Sequence, residues 1–413
     1  MRGIVWLLLL FAIAVVAALT LGDNDGLASL YWGGWRVDMS MNLFLFGAVF
    51  LAFIGFGAWQ GVQALLTLPQ QARQWRLLKR ERAAQAALRE ALAERLAGRW
   101  TRAHRAALRA LALHDGSEGL PPDPAFDLLA LIVAAGSLHH LQDRAGRDEL
   151  QQRLLQLARR GSAGAADDAA RLISAEWALD DADAARAESL LAELPPGVAR
   201  RTQSLRLKLR AARLARRPRE ALQIARLLAK HGAFTPAAAQ ALLRSLAIEV
   251  IDGVHDVEQL RRAWQTLEGA DRADPFVAAR AARRAALLDA HADARLWLRP
   301  HWQRLDAASA EARHELALAL AEATPGIDAD WLPLVEQAQR GHAAQPAVQL
   351  AAGAAFAARG LWGKARLPLE GAARADNLAA ASRRQAWQAL ALIARHEGDD
   401  ERAQSCDAEA ARL

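Results

Sequence analysis

Two long uncharged stretches lie near the start of the chain, at residues 4–21 and 43–68. At ~1.5 Å per helical residue the first reaches ~27 Å, nearly the hydrocarbon thickness of a bilayer, and the second is longer. The pattern predicts two membrane-spanning helices joined by a loop at residues 22–42. A cleavable signal peptide is the alternative for the first stretch, because a basic residue precedes it and small residues lie near its end.

Flanking charge predicts the orientation of these spans, because Lys and Arg close to a span resist translocation. The loop carries one base and three acids, whereas five bases and one acid follow the second span: Arg73, Arg76, Lys79, Arg80, Arg82 and Glu81. The loop should therefore face the periplasm, with both termini in the cytoplasm. This divides the chain into a membrane hairpin at residues 1–75 and a cytoplasmic domain at residues 76–413.

Aromatic and small residues add detail to the membrane part. Tyr31, Trp32 and Trp35 fit an interfacial aromatic belt on the periplasmic side. Gly57 and Gly61 form a GxxxG pair in the second span, which allows close helix approach between the two spans or between copies of the chain. The pair therefore predicts helix packing and possible self-association within the membrane.

From about Trp75 onward, amphipathic stretches alternate with short proline-containing breaks, which predicts helix after helix. In the clearest segment, seven residues occur at tetratricopeptide spacing: Gly353, Phe356, Gly360, Trp362, Ala365, Leu369 and Ala372. Gly353 and Ala365 should let two helices approach closely. Phe356 and Leu369 should fill the space between these helices, and Gly360 suits the turn.

Other segments repeat this frame less clearly. They are marked by Trp387, Leu390, Gly398, Ala403 and Ala410; by Gly98, Trp100, Ala103, Ala107 and Ala110; by Leu205, Leu209, Ala212, Ala221, Ala225 and Leu228; and by Ala278, Ala282, Ala294 and Leu298. A pair of short helices cannot bury its apolar face alone, so stacked neighbours must supply the missing contacts. The pattern predicts an all-α, tetratricopeptide-like α-solenoid, with an irregular helical bundle as the alternative.

Composition supports helices almost throughout and no substantial sheet, because Ala, Leu and Arg dominate and aromatic residues are 6% of the chain. The single cysteine, Cys406, excludes an intrachain disulfide and a CxxC redox pair. The 52 Lys and Arg are interleaved with 46 Asp and Glu, so the net charge of +6 does not indicate a nucleic-acid partner.

The sequence contains no recognisable catalytic or metal-binding constellation, and we predict a protein that is not an enzyme. His314 and Glu315 begin like a metalloprotease helix, but Leu318 stands where the second histidine would have to be. His139 and His140 are adjacent, so on a helix they point about 100° apart and cannot both ligate one metal or haem. Direct haem or porphyrin binding is left open, with no residues assigned to it.

Three arginines are the candidate residues for binding a partner. Arg206, Arg210 and Arg213 are spaced to lie on one face of the first helix of their repeat. In tetratricopeptide arrays this helix lines the concave groove, where clustered arginines could clamp carboxylates by paired hydrogen bonds. The alternative is a solvated face in an arginine-rich protein.

Three segments resemble the HemY family, haem-biosynthesis-associated tetratricopeptide proteins of the bacterial inner membrane. The segment 35–43, WRVDMSMNL, is similar to a family element that enters the second span, and 68–73 and 98–103 resemble its LPxxAR and GRxxRA elements. Two spans followed by degenerate repeats extend the likeness over essentially the whole chain. Gly33 and Gly34 depart from it, because many relatives are expected to have prolines there.

The resemblance implies a multi-pass protein of the bacterial inner membrane. Its repeat groove would organise proteins of late haem, or tetrapyrrole, biosynthesis. The alternatives are a porphyrin- or haem-binding carrier or chaperone, and a general assembly factor for envelope complexes. A flavin-dependent protoporphyrinogen oxidase shares the family's name, but this chain lacks the Gly-rich flavin-binding loop, so that activity is not implied.

Overall fold

The computed structural model describes residues 13, 26–115 and 122–413, with the side chains of residues 63–74 left out. The predicted first span at residues 4–21, apart from Ile13, lies outside the described residues, as do residues 22–25 of the predicted loop. Within the described ranges the chain is nearly all-α, which confirms that part of the predicted fold class.

The predicted loop before the second span contains a two-stranded antiparallel β-hairpin, a small element that the sequence analysis did not predict. Strand β1 is Leu27–Trp32 and strand β2 is Trp35–Ser40. The turn residues Gly33 and Gly34 have φ of +52° and +90°. Glycine adopts this left-handed region without steric cost, whereas the ring of proline fixes φ near −65°. The two glycines that depart from the family pattern are therefore the residues that allow this tight turn.

A single long helix, α1 (Met41–Leu96, 56 residues), follows the hairpin without a linker. Ser40 ends β2 and caps α1, because its side chain accepts a hydrogen bond from the backbone N–H of Leu43 at 3.3 Å. The first part, Met41–Val62, is long and apolar enough to cross a membrane, and none of it is buried within the protein. In the described part of the chain, one helix meets this criterion. It coincides with the second predicted span and supports it, whereas the first predicted span is untested.

Short helices occupy the rest of the chain. Helices α2 to α10 are Trp100–Asp115, Pro124–His140, Arg144–Ala158, Ala165–Asp180, Ala184–Ala192, Pro196–Ala199, Thr202–Leu214, Pro218–Lys230 and Pro236–Asp252. Helices α11 to α20 are Val257–Thr266, Gly269–Arg272, Pro275–Leu287, His291–Trp302, Ala310–Glu322, Leu332–Gly341, Pro346–Ala358, Trp362–Ala373, Ala380–Glu397 and Asp400–Arg412. Two 3₁₀ turns, Leu305–Ala307 and Ala329–Trp331, precede α15 and α16.

The chain forms two compact units, one up to Leu150 and one from Gln151 onward. In the first unit, the C-terminal part of α1 packs against α2 and α3 through small residues such as Ala91, Ala107 and Ala134. In the second unit, successive helices pack as pairs around an extended apolar core. Helix α1 continues unbroken through residue 75, and the functional division predicted at that position stays a prediction.

The same tight turn joins the two helices of most pairs. Its first residue has positive φ, and the N–H of the next residue donates to a carbonyl five positions back in the preceding helix, as in Asp183 to Ala178 at 2.8 Å and Leu361 to Phe356 at 2.9 Å. This is a Schellman motif, which satisfies carbonyls that the end of a helix leaves unpaired. The positive-φ residues of these turns are Gly98, Gln142, Ala182, Arg216, Asp289, Gly360 and Gly398. Their recurrence is the structural counterpart of the predicted repeats.

The closest helix approach that the sequence predicts is present between α17 and α18. A Cβ on Gly353 would lie 2.5 Å from Leu369 Cγ and 3.1 Å from Leu369 N, so only glycine fits there. Phe356 and Leu369 fill the interface with 1% and 0% of their surface exposed, and Gly360 forms the turn with φ of +70°. The roles predicted for these residues are confirmed.

Replacing Gly353 by alanine should destabilise the protein, because the added methyl overlaps Leu369. Overpacking of this kind costs about 1–3 kcal/mol, which outweighs the ~1 kcal/mol that alanine gains over glycine in a helix. Gly371→Ala on α18 is the matched control, because a Cβ there meets nothing within 4 Å. Urea unfolding of the full chain in detergent should show a lower midpoint for G353A and an equal or higher one for G371A. Equal midpoints for G353A and G371A would show that α17 and α18 move apart to accommodate the added methyl without a loss of stability.

Arg295 ties α14 to the segment after α15. Only 7% of it is exposed, and its guanidinium donates to the carbonyls of Ala323 at 2.8 Å, Pro325 at 2.6 Å and Gly326 at 2.9 Å. Three carbonyls outside regular helix thereby obtain a donor. This contact fixes the position of α14, which carries residues of the site described below.

Arg295→Met should lower the free energy of unfolding by about 1–3 kcal/mol, because the buried carbonyl of Ala323 would be left without a donor. Arg299→Met is the control, since Arg299 lies on the same helix with an exposed side chain. The comparison uses the same urea titration. A difference below about 0.5 kcal/mol, the usual range of surface substitutions, would argue against this role for Arg295.

Candidate functional site

An open groove of about 940 Å³ lies in the second unit, between helices α10 and α15. We call it the cationic groove. The residues that determine its chemistry are Arg244, Trp264, Arg272, Phe276, Trp297, His301 and Arg304. Within the described part of the chain, its lining contains three arginines and no Asp or Glu.

Aromatic rings form the apolar wall of the cationic groove. Trp264 of α11 and Trp297 of α14 are stacked, with their ring centroids 4.9 Å apart and their planes inclined by 23°. Both side chains are largely buried, so the stacked pair is a fixed part of the wall. Phe276 continues this wall under the guanidinium of Arg244, whose Cζ lies 4.2 Å from the ring centroid. A flat or apolar group could pack against these rings.

The three arginines of the groove are held differently. Arg244 is paired with Asp274, with Nε 2.9 Å and Nη2 2.8 Å from Oδ2, so its charge is compensated. Asp274 also caps α13, since its Oδ1 accepts from the backbone N–H of Phe276 at 3.0 Å. Arg272 and Arg304 are exposed and have no acidic partner among the described residues. These two side chains supply the uncompensated positive charge.

Acidic residues beside the groove are paired elsewhere. Glu268 and Asp271 flank Arg272 on the short helix α12, and both form ion pairs with Arg226 of α9. Asp271 is also buried and accepts a hydrogen bond from the backbone N–H of Glu268 at 3.1 Å. These two carboxylates are thus paired with Arg226, and Arg272 lines the groove without an acidic partner.

His301 lies at the edge of the groove with its Nε2–H donating to the backbone carbonyl of Arg272 at 3.1 Å. Burial lowers the pKa of His301 below its usual value, and the charge of Arg304 acts in the same direction. A neutral imidazole is therefore favoured near pH 7, with Nε2 engaged by the carbonyl. The contact positions α12 against α14 and leaves the arginines as the charged groups of the site.

This arrangement can bind an anion that also carries an apolar or aromatic group. Guanidinium groups bind carboxylates by paired, charge-assisted hydrogen bonds. Trp and Phe rings supply large contact areas for apolar groups. An acidic peptide segment with a neighbouring apolar side chain meets both requirements, and so does a flat ring system with carboxylate substituents.

The structure places the three predicted partner-binding arginines outside the cationic groove, on helix α8. Arg210 is paired with Asp180 at 2.7 Å, and Arg206 donates to the carbonyl of Ala233 at 3.4 Å. Arg213 is exposed, without a hydrogen-bond or ion-pair partner among the described residues. Two of the three therefore contact neighbouring segments of the chain, and their role in partner binding stays a prediction.

Gly57 and Gly61 lie on α1 as predicted, one helical turn apart. A Cβ at either position would meet nothing within 4 Å in the described part of the chain. The face they share is therefore accessible to another helix. Packing and self-association through this face stay predictions, since the predicted first span lies outside the described residues.

Histidines near the start of the second predicted domain have contacts within the fold. His140 stacks on Trp100 with ring centroids 4.0 Å apart, and His139 Nδ1 lies 3.1 Å from Nη1 of Arg147. They are the last two residues of α3, with His140 exposed at the surface. His114, Asp115 and Asp127 form a group that could hold a metal ion, but a 2.7 Å hydrogen bond between His114 and Asp127 already links α2 to α3.

The cationic groove was missed by sequence reasoning because its arginines come from separate segments. Arg206, Arg210 and Arg213 share one helix, so their spacing alone places them on a common face. Arg272 and Arg304 lie on different elements, and only the folded chain brings them to one groove. The sequence carries one partial signal for the groove. Glu268 and Asp271 lie close to Arg272 along the chain, and Arg226 of the preceding repeat is a base that can pair with them.

Comparison with known proteins identifies the N-terminal region. Residues 26–141 match the family described as HemY protein N-terminus. No curated protein matches the chain. Among solved structures, a chain from the crystal structure of the APC/C hetero-tetramer Cut9–Hcn1 is similar at 14% identity and a TM-score of 0.30, covering 80% of this chain. This chain spans 66% of that chain's length, just under two thirds.

The family match contains all three segments on which the resemblance was based, at residues 35–43, 68–73 and 98–103. It covers the β-hairpin and helices α1 to α3, while the likeness of later residues to the family stays a prediction. Residues 26–141 are thus similar to the N-terminal region of HemY proteins.

Proposed function

We propose that this protein is a non-catalytic scaffold of the bacterial inner membrane, which holds proteins of late haem biosynthesis in its cationic groove. The observation that carries the proposal is the groove itself, with two uncompensated arginines beside a fixed aromatic wall. The family match supports the link to haem biosynthesis. The helical repeats support a binding role, because arrays of this kind present extended concave surfaces to partners.

The exposed apolar part of α1 supports attachment to a membrane. The described basic residues after it, Arg76, Lys79, Arg80 and Arg82, favour a cytoplasmic position for that end of the helix. Lys79 Nζ lies 5.1 Å from the centroid of the Trp75 ring, which pairs an interfacial aromatic residue with a basic one. Two spans, with both termini in the cytoplasm, complete the proposed topology.

Confinement at the membrane explains how a protein without catalytic activity can contribute to a biosynthetic pathway. Two partners held by one anchored protein meet at an effective concentration set by their tethers and not by their abundance. Late tetrapyrrole intermediates are apolar, so enzymes that use them benefit from such proximity at the bilayer. The groove would select partners by an acidic segment with an apolar neighbour.

Charge reversal tests the scaffold proposal. The tagged full-length chain, purified in mild detergent, should retain haem-biosynthesis enzymes, identified by mass spectrometry. The double variant Arg272→Glu with Arg304→Glu should reduce the recovery of these enzymes at least about tenfold. A loss of ~1.4 kcal/mol in binding free energy lowers the affinity tenfold, and breaking a buried charge pair at an interface costs more than this.

The control variant carries Arg299→Glu and Arg374→Glu, two exposed arginines outside the groove with the same change in net charge. It should retain the enzymes like the wild type. Equal recovery from both variants would exclude the groove as the docking site. Recovery of envelope-assembly proteins without any haem-biosynthesis enzyme would favour the general assembly factor.

A porphyrin- or haem-binding carrier is the second candidate function, favoured by the stacked Trp264 and Trp297 beside Arg272 and Arg304. The rings offer a flat apolar surface, and the guanidinium groups could bind propionates. His301 Nε2 is engaged by a backbone carbonyl, so this mode of binding uses charge and ring contact.

Titration of the purified full-length chain with hemin and with protoporphyrin IX separates the two functions. A carrier should give a saturable shift of the Soret band, weakened at least about tenfold by Arg272→Ala with Arg304→Ala, because each lost charged hydrogen bond costs about 1.5–3 kcal/mol. Arg299→Ala with Arg374→Ala should leave the affinity unchanged. A pure scaffold gives no saturable shift with either ligand.

A further inference from the structure

The two faces of the β-hairpin differ in chemistry, because one is entirely apolar and the other is polar except for Leu27 at its base and the ring of Tyr31. Directly opposed residues of antiparallel strands share a face, and the register pairs Trp32 with Trp35, Leu30 with Val37 and Ala28 with Met39. All six residues of this face are apolar, and we call it the apolar hairpin face. Trp32 and Trp35 are 84% and 79% exposed, so nothing in the described part of the chain covers them.

The opposite face is polar and forms its own network. Asp38 accepts hydrogen bonds from the hydroxyl of Ser29 and from Nε of Arg36, the latter at 2.9 Å. The guanidinium of Arg36 also lies 5.7 Å from the centroid of the Tyr31 ring. These groups are exposed, and their charges balance within the face. Such a face is suited to contact with water.

The hairpin is fixed to the apolar part of α1. Ser40 belongs to β2 and caps α1, and the N–H of Met41 donates to the carbonyl of Gly26 at 2.9 Å, which closes the base of the hairpin. The exposed apolar side chains of α1 begin with Leu43, three positions after the last residue of β2. The base of the hairpin is therefore held where the apolar helix begins.

We infer that the hairpin lies along the outer surface of the bilayer, with the apolar hairpin face among the lipid headgroups and the polar face in water. The inference rests on the proposed membrane location of α1. A six-residue strand is ~20 Å long at ~3.3 Å per residue, so an upright hairpin would hold both tryptophans far above the bilayer. Lying flat, it places them at the depth that tryptophan prefers in membranes.

The apolar hairpin face favours lipid over a second copy of the chain. Its base is fixed at the start of a helix whose own surface is apolar and uncovered, so lipid that surrounds this helix also reaches the hairpin. The two tryptophans stand at the turn, the part of the hairpin farthest from α1 along the chain. The predicted aromatic belt is thereby refined, because Trp32 and Trp35 face the lipid and Tyr31 lies on the polar side.

Labelling of single cysteines in the full chain tests this placement. Cys406, the one cysteine of the sequence, is replaced by alanine. Val37→Cys reports on the apolar hairpin face, Ser29→Cys on the polar face and Leu45→Cys on α1. Each variant is labelled with the fluorophore NBD and reconstituted in vesicles of phosphatidylethanolamine and phosphatidylglycerol, with iodide on both sides as the aqueous quencher and headgroup spin-labelled lipid as the membrane quencher.

The expected result is a several-fold smaller iodide quenching constant for the label at position 37 than at position 29, with strong quenching at position 37 by the spin-labelled lipid. A label at 37 that iodide quenches as strongly as the label at 29 would overturn the inference. Protection at 37 from both quenchers would also overturn it, because a protein surface would then cover the face.

The label at position 45 separates this inference from the proposed function. Protection of this label from iodide shows that α1 is in the bilayer, so failure at position 37 alone would concern only the hairpin. Strong iodide quenching at position 45 would instead remove the membrane anchor, and the hairpin placement with it. Replacing Trp32 and Trp35 by Ser, with the label at 37, should raise its iodide quenching several-fold if these rings hold the hairpin at the surface.

Discussion

The fold depends on close approach between paired helices, which small side chains make possible. At Gly353 the two backbones lie so near that the Cβ of any other residue would overlap Leu369. Elsewhere alanine has this role, as at Ala107, Ala282 and Ala365, which are fully buried. Helices that touch through such short side chains need partners on both sides to bury enough apolar surface, and this links each pair to the next.

Ion pairs between neighbouring repeats use much of the chain's charge. Arg261 with Asp293, Arg280 with Asp252 and Arg402 with Glu370 join residues that lie 32, 28 and 32 positions apart. Exposed pairs of this kind contribute only about 0–1 kcal/mol each, so they add little stability. These pairs do neutralise charges on the two repeats that each pair joins. Arg272 and Arg304 are two of the described arginines without such a pair, and they are distinctive because they line the same groove.

Local spacing was enough to predict the helix pairs but not the groove. Gly353 and Gly360 are sixteen or fewer positions from the residues they contact, so their roles follow from the geometry of one helix pair. The hairpin was missed because the overall composition favours helices, although alternating apolar residues around Gly33 and Gly34 carried the signal. The groove arginines are brought together by packing over several repeats, and no spacing rule applies to them. Arg206 and Arg210 lie on one helix, but their contacts with Ala233 and Asp180 depend on neighbouring helices.

Helix α1 joins the anchor and the first repeat in one rigid element. Its 56 residues span ~84 Å at ~1.5 Å per residue, and its last turns, around Ala84 and Ala91, are buried against the following helices. There is no hinge loop between the two parts, as a flexible linker would provide. At the proposed membrane location, a change in the tilt of the apolar segment, for example in a thinner bilayer, would therefore move α2 and α3 with it, and the thickness of the membrane would affect where these helices lie.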